Sequence, residues 1–160
     1  MKKYLYILGL ILIFFASCDK DDDTVPLGDR SEALYGQWEY LSIMSNTAVD
    51  INGDGTVNID LYNSNEIRQC LKDNLTFFSL GMVGEKNDFS INENGLSCGE
   101  VPAFNNVEDD KYELINNEVL RFEKRPDMTI IEFEQNRLVL EQADFLDGQD
   151  VVITYTFKRS

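Results

Sequence analysis

Histidine is absent from the 160 residues. That absence removes Ser-His-Asp and Cys-His nucleophiles, His-ligated zinc and the commonest general base. Only carboxylate chemistry stays open, and no nucleophile or oxyanion motif accompanies the carboxylates. Basic residues are scarce, 14 against 29 acidic ones, for a formal net charge of −15. Such a surface repels phosphate backbones and anionic headgroups, which argues against nucleic acid and makes cations the natural counterpart. The three cysteines contain no Cys-x-x-Cys spacing, so the usual redox pair is missing. The apolar run from Tyr4 to Phe15 is too short for a comfortable membrane span, which needs about 20 residues.

That run follows Met1-Lys2-Lys3 and leads into Phe15-Ala16-Ser17-Cys18. A basic start, a short apolar stretch and small residues at the cut make a secretory signal. A Cys directly after two small residues resembles the lipobox of bacterial lipoproteins, with Phe15 where that family usually has Leu. The resemblance implies cleavage before Cys18, diacylglycerol on its sulfur and acylation of the new amine. An ordinary signal with an incidental Cys is the alternative. Several acyl chains, at ~0.8 kcal/mol per buried CH₂, would make a stable membrane anchor. Next comes Asp19-Lys20-Asp21-Asp22-Asp23, on composition a solvated tether. It is similar to the signal that sends Bacteroidota lipoproteins to the cell surface, which implies an outer-membrane, surface-exposed location. Asp23-Thr24-Val25 resembles the O-glycosylation sequon of the same bacteria and singles out Thr24.

The chain therefore divides into a lipoprotein signal peptide, 1–17, an acidic tether, 18–30, and one domain, 31–160. Loss of the signal takes Lys2 and Lys3 with it and leaves 12 basic against 29 acidic residues, a net charge of −17. With Cys18 lipidated, Cys70 and Cys98 remain, and an exported protein joins such a pair. The bridge would enclose 27 residues. On the chain-entropy model that stabilises the fold by ~3.5 kcal/mol. Two buried free thiols are the alternative.

A short helical turn is placed at Ser31-Glu32-Ala33-Leu34, with Ser31 able to cap it. From Gln37 the dominant period is two. Trp38 to Met44 reads as a strand, Leu75 to Leu80 as another, and Asn87 to Ile91 as a third. Between the first two, Ile67, Cys70 and Leu71 fall at helical spacing. Gly99 to Val107 has Pro102 and no period, and reads as an excursion. Lys111–Ile115 and Glu118–Glu123 flank Asn116-Asn117, a hairpin signal. Met128–Phe133 and Arg137–Glu141 flank Glu134-Gln135-Asn136 in the same way. Asp144 to Gly148 is a turn, and Val151 to Lys158 alternates strictly.

About eight antiparallel strands with one apolar face close most economically into an up-and-down barrel, which removes exposed edges. A two-sheet sandwich is the structural alternative. Tyr112, Leu114, Leu120, Phe122, Ile131, Phe133, Leu138, Leu140, Ile153, Tyr155 and Phe157 would point inward. Gly36-Gln37-Trp38 on the first strand, after a helical turn, resembles the Gly-x-Trp signature of the lipocalins. The order of Gly-x-Trp, acidic loop, two cysteines and four closing strands is similar to the lipocalin-like domains of Bacteroidota lipoproteins. The resemblance spans roughly 34–158. It implies that Trp38 plugs the closed end, with Lys158 or Arg159 packed across it. The expected fold is thus all-β: an eight-stranded antiparallel lipocalin-like barrel with one short helix and a long acidic loop.

That loop, Val49-Asp50-Ile51-Asn52-Gly53-Asp54-Gly55-Thr56-Val57-Asn58-Ile59-Asp60-Leu61, carries oxygen ligands at calcium spacing. With Asp50 as position 1, Asn52, Asp54, Thr56 (by its carbonyl) and Asn58 fall on positions 3, 5, 7 and 9, and Gly55 on the turning position. Position 12 is Leu61, and the nearest acid, Asp60, comes one residue early. No amphipathic helix leads in, so this is not an EF-hand. A structural calcium loop and a polar loop whose Asx side chains bond their own backbone both remain open. Asp144, Asp147 and Asp150 form a second acidic turn, read as solvated.

Three functions compete. A carrier would hold a small apolar molecule among Tyr112, Leu120, Phe122, Ile131, Phe133, Leu138 and Tyr155. Arg121, between inward Leu120 and Phe122, points outward, and no basic residue reaches the cavity, so the ligand should be neutral. A surface scaffold would contact protein or glycan through its loops, with the acidic face and the excursion from Gly99 to Val107 carrying the contact. An enzyme would use Glu132 and Glu134, on one strand face, as paired carboxylates. The expectation is no enzyme.

Overall fold

The computed structural model describes residues 23–99 and 106–160. The signal, Cys18 and most of the Gly99–Val107 excursion lie outside these residues. Among the described residues nine strands follow in order: β1 Gly36–Val49, β2 Asn58–Asp60, β3 Leu75–Ser79, β4 Asn87–Asn92, β5 Asn106–Ile115, β6 Val119–Phe122, β7 Met128–Glu134, β8 Arg137–Leu146 and β9 Gln149–Arg159. Eight of them pair antiparallel with their neighbours, and β9 returns to β1 from Trp38↔Arg159 to Ser45↔Ile153, closing the barrel. A sandwich is thereby excluded.

β1 changes partner along its length. Gly36 to Glu39 pair with β3, while Met44 and Val49 pair with the three-residue β2. β2 lies within the acidic loop, where the sequence pattern gives no sign of a strand. Two short α-helices, α1 Arg30–Leu34 and α2 Gln69–Lys72, stand near the expected places, but Ser31 lies inside α1 and meets the Tyr35 hydroxyl instead of capping it, and Ile67 precedes α2.

The expected tether is not wholly a tether. Val25 is buried and its N–H donates to the Phe133 carbonyl, while Thr24 bridges Glu134. An apolar residue among the aspartates pins 23–25 to the barrel. Thr24 itself is exposed.

The hairpins use left-handed residues at their turns. Asn116 (φ 51°) and Asn117 (φ 58°) join β5 to β6, and Asp147 (φ 49°) with Gly148 joins β8 to β9. Both conformations match the twist of the flanking strands. β8 runs on to Leu146, so the expected turn at Asp144–Gly148 contracts to two residues.

One end of the barrel is closed. Trp38 is fully buried there, its indole N–H donating to the Leu34 carbonyl at 2.9 Å. Above it, Phe133, Leu138, Leu120, Tyr112, Phe78, Phe89 and Phe122 form the core, its rings packed edge to face. Eight strands leave an interior that side chains can fill. A smaller apolar group, Ile43, Val49, Leu61, Val151 and Ile153, lies toward the other end.

Ile131 corrects the expected inner face: it is 52% exposed, and Ile130 takes the interior position. The pairing Ile130↔Leu140 followed by Glu132↔Val139 makes Ile131 the extra residue of a β-bulge. Leu41 on β1 and Val107 on β5 are extra in the same way, 46% and 49% exposed. Each bulge reverses the parity of its strand.

Candidate functional site

The loops at the open end, which we call the mouth, are β1–β3, β4–β5, β6–β7 and β8–β9. Cys70 in α2 and Cys98 after β4 are joined by a disulfide, with Cα atoms 5.3 Å apart. Around it the backbone is held by carboxylates. Glu93 accepts from the Cys98 N–H at 2.8 Å, and Asp73 accepts from Leu96 at 2.9 Å. Buried Lys72 donates to the Ser64 carbonyl at 2.6 Å.

Beneath this cross-linked rim is a pocket of about 190 Å³, lined by Tyr40, Ile43, Ile67, Leu71, Asn74, Ile91, Val107, Glu108 and Tyr155. Tyr40 lies 6.1 Å from Tyr155 between ring centroids. Desolvation raises the phenol pKa of both above the ordinary tyrosine value. Of the residues expected to line a cavity, Tyr155 alone borders this pocket. Leu120, Phe122, Phe133 and Leu138 are packed into the solid interior, and Tyr112 borders a cleft with Asn87 and Glu113 at the closed end. Strand alternation assigns a face to each side chain but not its height along the barrel axis.

A basic residue does reach the interior, against the sequence expectation. Arg125, in the β6–β7 turn, lays its guanidinium 4.9 Å from the Phe89 ring and 5.2 Å from the Phe122 ring. Its terminal nitrogens pair with Glu108 at 3.2 Å and with buried Gln142 at 3.2 Å. Asp110, buried on β5, accepts from the Lys124 and Arg125 N–H groups at 3.1 and 3.2 Å and so fixes the turn. A period of two gives no hint of this, because the side chain folds back from a turn. Arg121 does point outward, 3.6 Å from Asp127.

The acidic loop is organised by Asp50 and by Glu66. Asp50 accepts from Gly53 and Gly55 at 2.7 and 2.8 Å and from Asp54 at 3.1 Å. Asn52 accepts from the Asp54 N–H, and Asp54 from Thr56. Glu66, buried although no motif singles it out, accepts from Ile51, Asn52 and the Asn58 amide. Asp60 turns away: both its oxygens accept from Asn63. Among the described residues no three acidic side chains converge into a cage for a metal. Asp50, Asn52 and Asp54 thus bond within the loop's own backbone, and Asp60 lies outside these bonds.

At the closed end Arg159, not Lys158, covers the tryptophan, 4.4 Å from the Trp38 ring. Lys158 faces outward to Glu39 at 2.8 Å. Glu132 pairs with Arg137 of the neighbouring strand, and its arrangement is that of a surface ion pair.

No family model matches the chain, and no curated protein matches it. Solved structures that it resembles include the siderocalin Ex-FABP, at 14% identity and TM-score 0.48, covering 80% of this chain and 71% of the other. Bovine odorant-binding protein in complex with undecanal is 16% identical at TM-score 0.46, covering 81% and 72%. At such values the architecture is read from the strand order of this chain alone.

Proposed function

We propose that this chain is a non-catalytic, lipid-anchored protein of the outer membrane and cell surface, whose lipocalin-like barrel holds a small neutral apolar ligand at its mouth. The mouth pocket carries the ligand reading. Aromatic and aliphatic walls with a few polar atoms, under a cross-linked rim, are the composition of a small-molecule site. Its volume, about 190 Å³, is below the usual range, so it takes a compact molecule or one end of a longer one.

The location rests on the lipobox-like segment ending at Cys18. Asp23 accepts from Gln135 at 3.0 Å, beside the β7–β8 turn at the closed end. Five residue steps separate Cys18 from Asp23 and reach at most about 18 Å. An anchored barrel would stand closed end down, its mouth away from the bilayer. Leu80, Met82 and Val83, all exposed in the β3–β4 turn, lie at that same lower end. Thr24, exposed on the same side, is the proposed O-glycosylation site.

Solid packing below Tyr40 and Tyr155 favours a second reading, a scaffold contacting protein or glycan. The exposed Ile51, Val57 and Phe145 at the mouth would carry it. Native mass spectrometry of the protein from its own host separates the two. A reproducible small adduct, lost on Tyr155→Trp, supports the ligand; a bare chain in every preparation overturns it. Labelled palmitate that fails to enter the protein, or enters equally with Cys18→Ser, overturns the anchor.

A further inference from the structure

The β3–β4 turn opens with Leu80-Gly81-Met82-Val83-Gly84, a stretch without a charged or polar side chain. A turn tip ordinarily takes polar residues, whose side chains bond its own backbone. Here Leu80, Met82 and Val83 are 66%, 73% and 107% exposed. Single exposed apolar residues are ordinary, whereas a contiguous group on one turn marks a contact surface.

The backbone holds that group outward. The Glu85 N–H donates to the Met82 carbonyl at 2.9 Å, and Gly84 has a φ of 88°, as the third residue of a type II turn requires. Val83 is thereby fixed at the tip. At the base of the turn a Cβ on Gly81 would stand 1.9 Å from the Lys86 carbonyl oxygen, so glycine alone lets the two sides meet.

Phe78 pairs with Gly36, next to Trp38, which puts the turn at the closed end of the barrel. Residues 23–30 cross the same end. Val25 bonds Phe133, Gly28 and Leu80 border one groove, and Arg30 donates to the Asn117 carbonyl at 3.1 Å. Leu27, within that segment, is exposed as well. The short link from Cys18 ends here, so lipid on Cys18 would place a membrane under this end.

Charge narrows the kind of membrane surface. Lys86, which follows the turn, is paired with Glu123 at 3.3 Å and Glu113 at 3.8 Å, and Glu85 with Lys111 at 3.5 Å. Asp29 and Glu32 border the groove beside Leu80. These carboxylates repel an anionic headgroup, while the apolar tip favours hydrocarbon beneath neutral ones.

We propose that the β3–β4 turn inserts Leu80, Met82 and Val83 into the hydrocarbon edge of the bilayer that holds the anchor, as a second membrane contact. The inference rests on the anchored, closed-end-down reading above. A short link alone leaves the barrel free to tumble, whereas two contacts fix its tilt and hold the mouth toward solvent.

Trp38 is the single tryptophan and is buried, so it gives a constant background to an introduced indole. Lipidated full-length Val83→Trp is reconstituted in vesicles of phosphatidylcholine brominated on its upper acyl carbons. Val57→Trp, at an exposed position of the mouth, is reconstituted in the same way. The mass of each preparation reports the lipid on Cys18. Val83→Trp should be quenched several-fold more than Val57→Trp, with a blue-shifted emission that added salt does not change. Equal quenching of the two in lipidated protein overturns the insertion and leaves the anchor standing. Stronger quenching of Val57→Trp overturns it as well and turns the mouth toward the bilayer. Protein without lipid on Cys18 overturns anchor and insertion together. The chain lacking residues 1–18 tests for a protein occupant, since the barrel closes on itself and contains its own core. Its Val83→Trp should emit as an indole in water; a blue shift there would mean that a second copy covers the turn, and would overturn the membrane contact.

Discussion

Arg159 closes the barrel by lying over Trp38 at 4.4 Å, with its guanidinium tied to three backbone carbonyls, those of Ala33, Tyr35 and Gln135. The last strand thus caps the first and holds the turn after α1. Gly36 makes room for it: a Cβ there would stand 3.0 Å from an Arg159 nitrogen, and its φ of 130° suits glycine. Arg159→Ala should cost about 2–4 kcal/mol in urea unfolding, from the ring contact and the stranded carbonyls. Arg159→Lys should recover little of this, since an ammonium cannot span three carbonyls and a ring together.

The bulge at Ile131 makes a paired test. Ile130→Ala removes a buried side chain and should cost about 2–4 kcal/mol. Ile131→Ala, on the outside, should stay within ~0.5 kcal/mol. Reversed values in chemical denaturation would restore simple alternation and refute the bulge.

Those two isoleucines also mark how far the sequence could be read. Barrel closure was legible because Tyr112, Leu120, Phe122, Leu138, Leu140 and Phe157 alternate as half-buried strands must. The disulfide was legible from the expectation of export and the parity of the remaining cysteines. Bulges were not, because a bulge is a property of two strands in register, and Ile130-Ile131 looks the same in either parity. The pocket was not, because Ile67, Leu71 and Asn74 reach it from the segment between β2 and β3, where a period of two does not apply. Glu66 was hidden for a similar reason: it acts on a loop 14 to 15 residues earlier in the chain.

The acidic loop should depend on Glu66 more than on added metal. Glu66→Ala strands the Ile51 and Asn52 N–H groups and the Asn58 amide, at about 2–4 kcal/mol. With Asp60 engaged by Asn63, melting in calcium and in chelator should coincide, and Asp54→Ala should change both equally. A melting temperature that rises with calcium, and an Asp54→Ala variant that does not respond, would establish a bound ion instead.

Reduction of Cys70–Cys98 should loosen the mouth and spare the barrel. The bridge spans 28 positions, and its loss costs about 3–4 kcal/mol on the chain-entropy model. The Cys70→Ser, Cys98→Ser double variant should keep its β-rich circular dichroism at room temperature. Its hydrogen exchange should quicken in α2 and the segment before Cys98, and not at Trp38 or Leu138. Uniform acceleration would mean the bridge supports the whole fold.

Alkali should unfold the protein through its buried phenols. Burial raises Tyr40, Tyr112 and Tyr155 above the ordinary tyrosine value. The unfolded chain releases these protons near the ordinary value of about 10, whereas the folded chain retains them. Between those points the native state binds more protons, so stability falls with rising pH. The contribution is complete below pH ~10 and is lost as pH climbs toward the raised values. Phenolate absorbance should therefore show one group of tyrosines titrating early and a second appearing only with loss of β structure. Replacing Tyr155 by Phe removes one proton from that second group and should move alkaline unfolding to higher pH. Smooth ionisation of every tyrosine in a folded chain would show that the mouth and interior admit water freely, and a desolvated site around Tyr40 and Tyr155 would lose its physical basis.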